Sequence, residues 1–110
     1  MIRGAVYRVD LGAPRGHPQA GKRLGVVLSP TDFPWTVATI VPSSTSAQPA
    51  IFRPEIEVVG ERTLFLADQL CTLDVDYIVG DPVDYLDPRS MAEVEEAVAR
   101  YLGLLPGEGN

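Results

Sequence analysis

Leu73-Asp74-Val75-Asp76-Tyr77-Ile78-Val79 and, further on, Met91-Ala92-Glu93-Val94-Glu95-Glu96-Ala97-Val98 follow two different periods. In the first stretch Leu73, Val75, Tyr77 and Val79 alternate with Asp74 and Asp76, the pattern of a strand with one buried face. In the second, Met91, Val94, Val98, Tyr101, Leu102 and Leu105 recur at helical spacing. That change of period decides the fold class: strands come before it and one helix after it. The helix can start at Asp87, with Pro88 as its first residue, or at a capping box of Ser90 and Glu93. Pro106-Gly107 stops it, and the stripe from Met91 to Leu105 is expected to face the core.

Upstream the chain reads as strands. Ala5–Leu11 alternates, with Ala5, Tyr7, Val9 and Leu11 on one side and Arg8 and Asp10 on the other. Gly12–Lys22 carries three glycines and two prolines and forms a loop long enough to suggest function. Leu24–Leu28 is a short apolar run, a buried strand, and Pro30–Trp35 turns the chain. Thr36–Val41 is mostly β-branched and reads as a central strand. Pro42–Ala50 is a polar loop, and Phe52–Val59 alternates, with Pro54 pushing it to a sheet edge. Gly60-Glu61-Arg62 turns into the apolar Thr63–Leu70, and Gly80-Asp81-Pro82 breaks the strand after Val79. Five or six short strands and a C-terminal helix in one domain, residues 1–110, predict a mainly β fold, a small twisted barrel with a helix packed on it.

Composition narrows the function. The 110 residues hold one cysteine, Cys71, so no intramolecular disulfide forms. Cys71 and His17 are the only soft ligands, a poor set for zinc. No apolar run approaches the length of a membrane helix. The start, Met1-Ile2-Arg3-Gly4, has no apolar segment behind its charge, so a cytoplasmic location and no membrane partner are expected. The net charge of −6 is unevenly spread. Residues 1–53 hold six basic against two acidic side chains, and residues 54–110 hold three against 13. The basic half can attract phosphate locally, because salt confines fields to about 10 Å.

Two loops collect the groups that phosphate chemistry needs. Arg15-Gly16-His17-Pro18-Gln19-Ala20-Gly21-Lys22-Arg23 enters the strand Leu24–Leu28, and Pro42-Ser43-Ser44-Thr45-Ser46 leaves the strand Thr36–Val41. Adjacent strands would bring a guanidinium and several hydroxyls to one end of a barrel. A guanidinium stays charged and its planar fork matches two phosphate oxygens. Hydroxyls donate to the remaining oxygens. Taken alone, a serine-rich loop is usually only a loop, and an arginine at a strand start is usually only a surface charge.

Four short segments, in order, give the chain a resemblance. Ile2–Leu11, Gly16–Arg23 with Val26-Val27-Leu28-Ser29-Pro30, Ile40-Val41-Pro42-Ser43-Ser44-Thr45, and Leu66-Ala67-Asp68-Gln69-Leu70 with Thr72-Leu73-Asp74 together resemble the MazF/PemK toxin family. The resemblance implies an SH3-like β-barrel and a homodimer that binds single-stranded RNA across its two-fold axis. It implies cleavage of mRNA at short sequences with no metal or other cofactor, giving 2′,3′-cyclic phosphate and 5′-hydroxyl ends. It also implies a cognate antitoxin, MazE-like or other. By the same resemblance Arg23 is the catalytic arginine and Ser44 the catalytic hydroxyl, with Thr45 as the alternative if the loop frame slips by one. Gln19, Lys22, Asp68 and Gln69 fall at positions that line or support the RNA groove. Read on its own chemistry, His17 is either an acid–base group of the ribonuclease kind or a loop residue that hydrogen-bonds or touches RNA. Pro18, Leu24 and Cys71 depart from the family pattern. The rival readings are a non-catalytic toxin of the CcdB type acting on DNA gyrase and an inactive MazF-like scaffold.

Overall fold

The computed structural model describes residues 1–10, 22–31 and 36–105. The loop expected over Gly12–Lys22, most of the turn Pro30–Trp35 and the stop at Pro106-Gly107 lie outside them. Among the described residues seven strands precede one α-helix: β1 Ala5–Asp10, β2 Lys22–Val27, β3 Val37–Ser44, β4 Glu55–Val58, β5 Glu61–Phe65, β6 Cys71–Asp74, β7 Ile78–Tyr85 and α1 Pro88–Tyr101. Short 3-10 turns cover Ala67–Gln69 and Val75–Tyr77. The strands form a curled, antiparallel half-barrel in the order β4-β5-β3-β2-β1-β7, with β6 also on β3. A mainly β fold with one C-terminal helix was the expectation, and it holds.

The middle of the sheet is buried on both faces. Val6, Val26 and Val41 pack with Ile56, Val58, Phe65 and, from the helix, Met91 and Val94. Their chain neighbours Tyr7, Val27 and Ile40 point the other way, into a second cluster with Ala5, Val9, Ala38 and Ile78. Successive side chains of a strand alternate faces. A strand covered on both sides therefore reads as an apolar run, which is why Val26-Val27 and Ile40-Val41 are continuous. It also corrects the one-sided picture of Ala5–Leu11, because Val6 is as buried as Ala5.

Four further corrections concern where elements end. β3 does not stop at Val41 but runs through Pro42 and Ser43 to Ser44, where β5 replaces β6 as its partner. Pro42 O accepts from Leu66 N at 2.8 Å. A strand residue's N and O point the same way, so the missing proline N–H falls on that side, between β6 and β5, where no ladder bond is lost. The alternating stretch Leu73–Val79 is split by a 3-10 turn, because Asp74 Oδ1 accepts from Asp76 N at 2.9 Å and turns the chain locally. Gly80-Asp81-Pro82 does not break β7. Between Val6↔Asp84 and Arg8↔Val79 the register shifts, and the extra residues bulge out at Gly80, whose φ is +71°. The hairpin β4–β5 turns on Val59-Gly60, both at positive φ, and not on Gly60-Glu61-Arg62. Pro54 does precede an edge strand, β4.

Asp87 caps the helix: its Oδ1 accepts from Ser90 N at 2.7 Å, with Pro88 behind it. Met91, Val94 and Ala97 are buried, and Val98 packs against the same core. The stripe then leaves the sheet. Tyr101 and Leu102 are about half exposed, and the Tyr101 ring meets Phe52 edge to face, ring centroids 5.3 Å apart. The whole stripe to Leu105 was expected to face the core, and the helix outruns the sheet that would cover it.

Candidate active site

Strand register brings the two polar segments together. β2 and β3 pair Val27↔Ile40, Val26↔Val41 and Gly25↔Pro42. The pairing ends at Gly25↔Pro42, two residues from Arg23 on β2 and two from Ser44 on β3. β6 pairs Cys71 with Ile40. Gly25 lies between Arg23 and Val27, and a Cβ there would stand 2.8 Å from Ile40 Cδ1. A side chain there would require the end of Ile40 to shift.

Ser44 is fixed by its own loop. Its Oγ accepts from Ser46 N at 3.1 Å and from Ala47 N at 3.0 Å. A hydroxyl oxygen has two lone pairs and one proton. Both lone pairs are taken, so what Ser44 offers a ligand is its O–H, whose partner within the loop is the Ser46 Oγ at a long 3.5 Å. Thr45, the alternative hydroxyl, is exposed beyond the end of β3. Ser43, facing inward, donates to Leu24 O at 3.0 Å and is committed to the fold.

Arg23 is half-buried, and among the described residues its guanidinium has one hydrogen bond, a long one of 3.5 Å from Nη1 to Gln69 Oε1. Burial lowers its pKa from the usual arginine value, with Cys71 acting weakly the other way. Burial likewise raises the Cys71 thiol, against the pull of Arg23. The thiol is therefore protonated at neutral pH and is no nucleophile there. A cavity of about 460 Å³ opens beside Arg23, lined by Arg8, Val9, Asp10, Leu24 and Val79.

Asp68 and Gln69 share the 3-10 turn Ala67–Gln69 but differ in use. Asp68 accepts both arms of the Arg53 fork, Nε at 3.1 Å and Nη2 at 2.9 Å. The hydrogen bonds from Arg53 hold the Asp68 carboxyl below the usual carboxylate range, and those to Asp68 raise Arg53. Asp68 is thereby committed to Arg53 within the fold. Lys22 opens β2 opposite Asp10, and His17 and Gln19 lie outside the described residues. No local pattern signals the Arg53–Asp68 pair, whose members stand 15 positions apart with no shared motif. Among the described residues no group of three or more His, Cys, Asp or Glu side chains is placed to hold a metal ion. Among the described residues no helix is long and apolar enough to cross a membrane.

Comparison with known proteins gives this corner its context. A Mycobacterium tuberculosis (strain H37Rv) protein named "Putative toxin Rv3098A/RVBD_3098A" is 65% identical over 105 residues, 94% of this chain and 99% of that one. Three solved structures share the fold. An endoribonuclease from a mycobacterial species, solved in complex with its cognate antitoxin, superposes with a TM-score of 0.79 at 23% identity, covering 97% of this chain and 99% of its own. Mycobacterium tuberculosis toxin MazF-mt6 follows at 0.76 and 15%, covering 91% and 97%. MazF from Deinococcus radiodurans gives 0.78 and 23%, covering 92% and 94%. Residues 2–102 match the family described as PemK-like, MazF-like toxins of type II toxin-antitoxin systems, and the chain belongs to that family.

Proposed function

We propose that this toxin is an endoribonuclease that cuts single-stranded RNA by internal transesterification, with Arg23 and Ser44 as the groups that meet the scissile phosphate. The observation that carries this reading is the corner itself. A half-buried guanidinium whose one hydrogen bond among the described residues is a long contact to Gln69 stands two residues beyond the last β2–β3 pair, and so, on the other strand, does a hydroxyl whose lone pairs are already occupied. The solved mycobacterial endoribonuclease with the same fold supports it.

In the reaction the RNA 2′-oxygen forms a bond to phosphorus and loses its proton, while the bond from phosphorus to the 5′-oxygen breaks and that oxygen gains one. Negative charge grows on the non-bridging oxygens. Arg23 stabilises it, more strongly for being partly out of water. Ser44 donates its O–H to one of those oxygens and is not the base, having no free lone pair. Gln69 holds one arm of Arg23, and its amide is assigned to reading a base edge. Lys22, Gln19, His17 and Thr45 are assigned to the RNA strand around this corner, and Asp68 to its support. Single strands fit because splayed bases expose their edges.

The barrel is small, and we assign RNA to a groove shared by two copies of the chain. The partner in the cell is an antitoxin with an acidic, apolar segment that occupies that groove, as a MazE-type protein would, and the site of action is the cytoplasm. Incubation of the pure protein with a long RNA in EDTA, with cut sites and end groups mapped, tests the reaction. Cuts at a short recurring sequence with 5′-hydroxyl ends are expected. Intact RNA sinks the enzymatic reading and leaves a toxin that acts by contact. Sedimentation at micromolar concentration should give a dimer, and a monomer that still cuts RNA refutes the shared groove.

A further inference from the structure

Arg53 stands outside the Arg23–Ser44 corner yet ties together the two segments that build it. Its Nε and Nη2 grip Asp68, the neighbour of Gln69. Its Nη1 donates to Gln48 O at 3.0 Å, and Gln48 follows Ala47, whose N–H holds the Ser44 oxygen. Its backbone N donates to Ala50 O at 3.0 Å, closing the same loop. The pair is mostly shielded, with side-chain exposures of 20% for Arg53 and 24% for Asp68. All three guanidinium nitrogens are thus engaged within the protein, and the charge is matched by a carboxylate.

We propose that Arg53 is a positioning residue for RNA cleavage: its fork locks the Ser44 loop to the turn carrying Gln69, and so sets where the Ser44 hydroxyl stands relative to the Arg23 guanidinium. This rests on the endoribonuclease reading above. Arg53 is the last basic residue of the basic half, so charge alone would make it a phosphate ligand. Its committed hydrogen bonds argue otherwise. An in-line displacement is sensitive to small errors of placement, and a shift of 1 Å can cost about a hundredfold in rate. Without the fork, Gln48 loses a bond from Arg53 and the turn orienting the Ser44 O–H loses its anchor to the opposite side of the site.

The test compares Arg53→Gln, Asp68→Asn, their double variant and Arg53→Lys, at a temperature well below the unfolding of each. Three quantities are read: kcat and KM on RNA, the salt dependence of binding to a 2′-deoxy-blocked oligonucleotide, and amide exchange at Ser46 and Ala47 without RNA. A positioning role lowers kcat by about tenfold to a hundredfold in Arg53→Gln, with KM and the salt slope unchanged and the two amides exchanging faster. Asp68→Asn moves the same way, and the double variant is no worse than the worse single, because both break one unit. Arg53→Lys regains part of the loss, since an ammonium keeps the charge but not the fork. A salt slope shallower by about 0.7 in Arg53→Gln makes Arg53 a phosphate ligand and overturns the proposal. A lower melting temperature with kcat unchanged overturns it too. Should Arg53→Gln fail to fold, Asp68→Asn and Arg53→Lys carry the same criteria. RNA left intact by the unaltered protein overturns this proposal together with the enzymatic reading. Unchanged amide exchange in variants of a protein that does cleave overturns this one alone.

Discussion

Arg53 and Arg23 flank the same 3-10 turn, Ala67–Gln69, and differ in what the turn gives them. Arg53 meets a carboxylate through two hydrogen bonds of ordinary length and has its third arm on a backbone carbonyl. Arg23 meets an amide through one bond at the limit of hydrogen-bond length. The electrostatics follow: hydrogen bonding to Asp68 strengthens Arg53's hold on its proton, whereas burial weakens that of Arg23. A guanidinium that is saturated inside the protein stabilises structure. One that is partly desolvated and poorly partnered keeps its bonding capacity for an anion from outside. One residue of difference along the turn, Asp68 against Gln69, separates the two roles.

The largest effect that would sharpen this contrast is on rate. Arg23→Ala should slow RNA cleavage by about 10²–10³, the range for removing one preorganised donor, with the melting temperature nearly unchanged. Arg23→Lys should rescue poorly. An alanine variant that cuts near the wild-type rate removes Arg23 from the mechanism. Ser44→Ala comes next, with a loss of about tenfold from a missing hydrogen bond to a charged oxygen. Ser44→Thr keeps the O–H and should keep most of the activity, and equal losses in both variants would break the assignment.

Stability separates the same residues in reverse. In urea, Arg53→Gln should cost about 1–3 kcal/mol, because it leaves a partly buried carboxylate with fewer donors. The ion pair Arg62–Glu55 is far more exposed, at 79% and 46%, so Arg62→Gln should cost no more than about 1 kcal/mol. Equal costs would mean that shielding at Asp68 counts for nothing. Acid gives the smallest signal. The Asp68 carboxyl is held below its usual value near 3.8 by Arg53, and Asp87 is held low by its bond from Ser90. A group with a depressed pKa stabilises the fold fully above its unfolded value and loses that contribution as pH falls through the folded value. Stability should therefore drop below about pH 4, and Asp68→Asn should flatten that drop. An identical acid limb in the variant would show that Asp68 does not titrate differently in the folded protein.

Much of the strand content was legible, because burial on both faces writes apolar runs and an edge strand tolerates Pro54. The ends were not. Pro42-Ser43-Ser44 has loop composition, and only β5 and Leu66, arriving from later in the chain, make it strand. Gly80-Asp81-Pro82 has turn composition, and the bulge opposite β1 absorbs it. Of the site, Arg23, Ser44 and Gln69 were named from resemblance to the MazF/PemK family, since local pattern alone would have left them as surface polar residues. The Arg53–Asp68 pair carried no signal, because its members are distant in sequence and nothing local requires it.

What the sequence determined by itself was therefore whatever depends on near neighbours. It set the period of two that makes strands, the helical period after Asp87 with its cap, and the supply of cations in the first half of the chain. The tertiary structure alone decided which face each buried residue took, how far α1 stays covered, and which of two arginines was neutralised. Those outcomes depend on groups brought together from remote positions. Pairwise electrostatics and desolvation act over a few ångströms of space, whatever the distance along the chain.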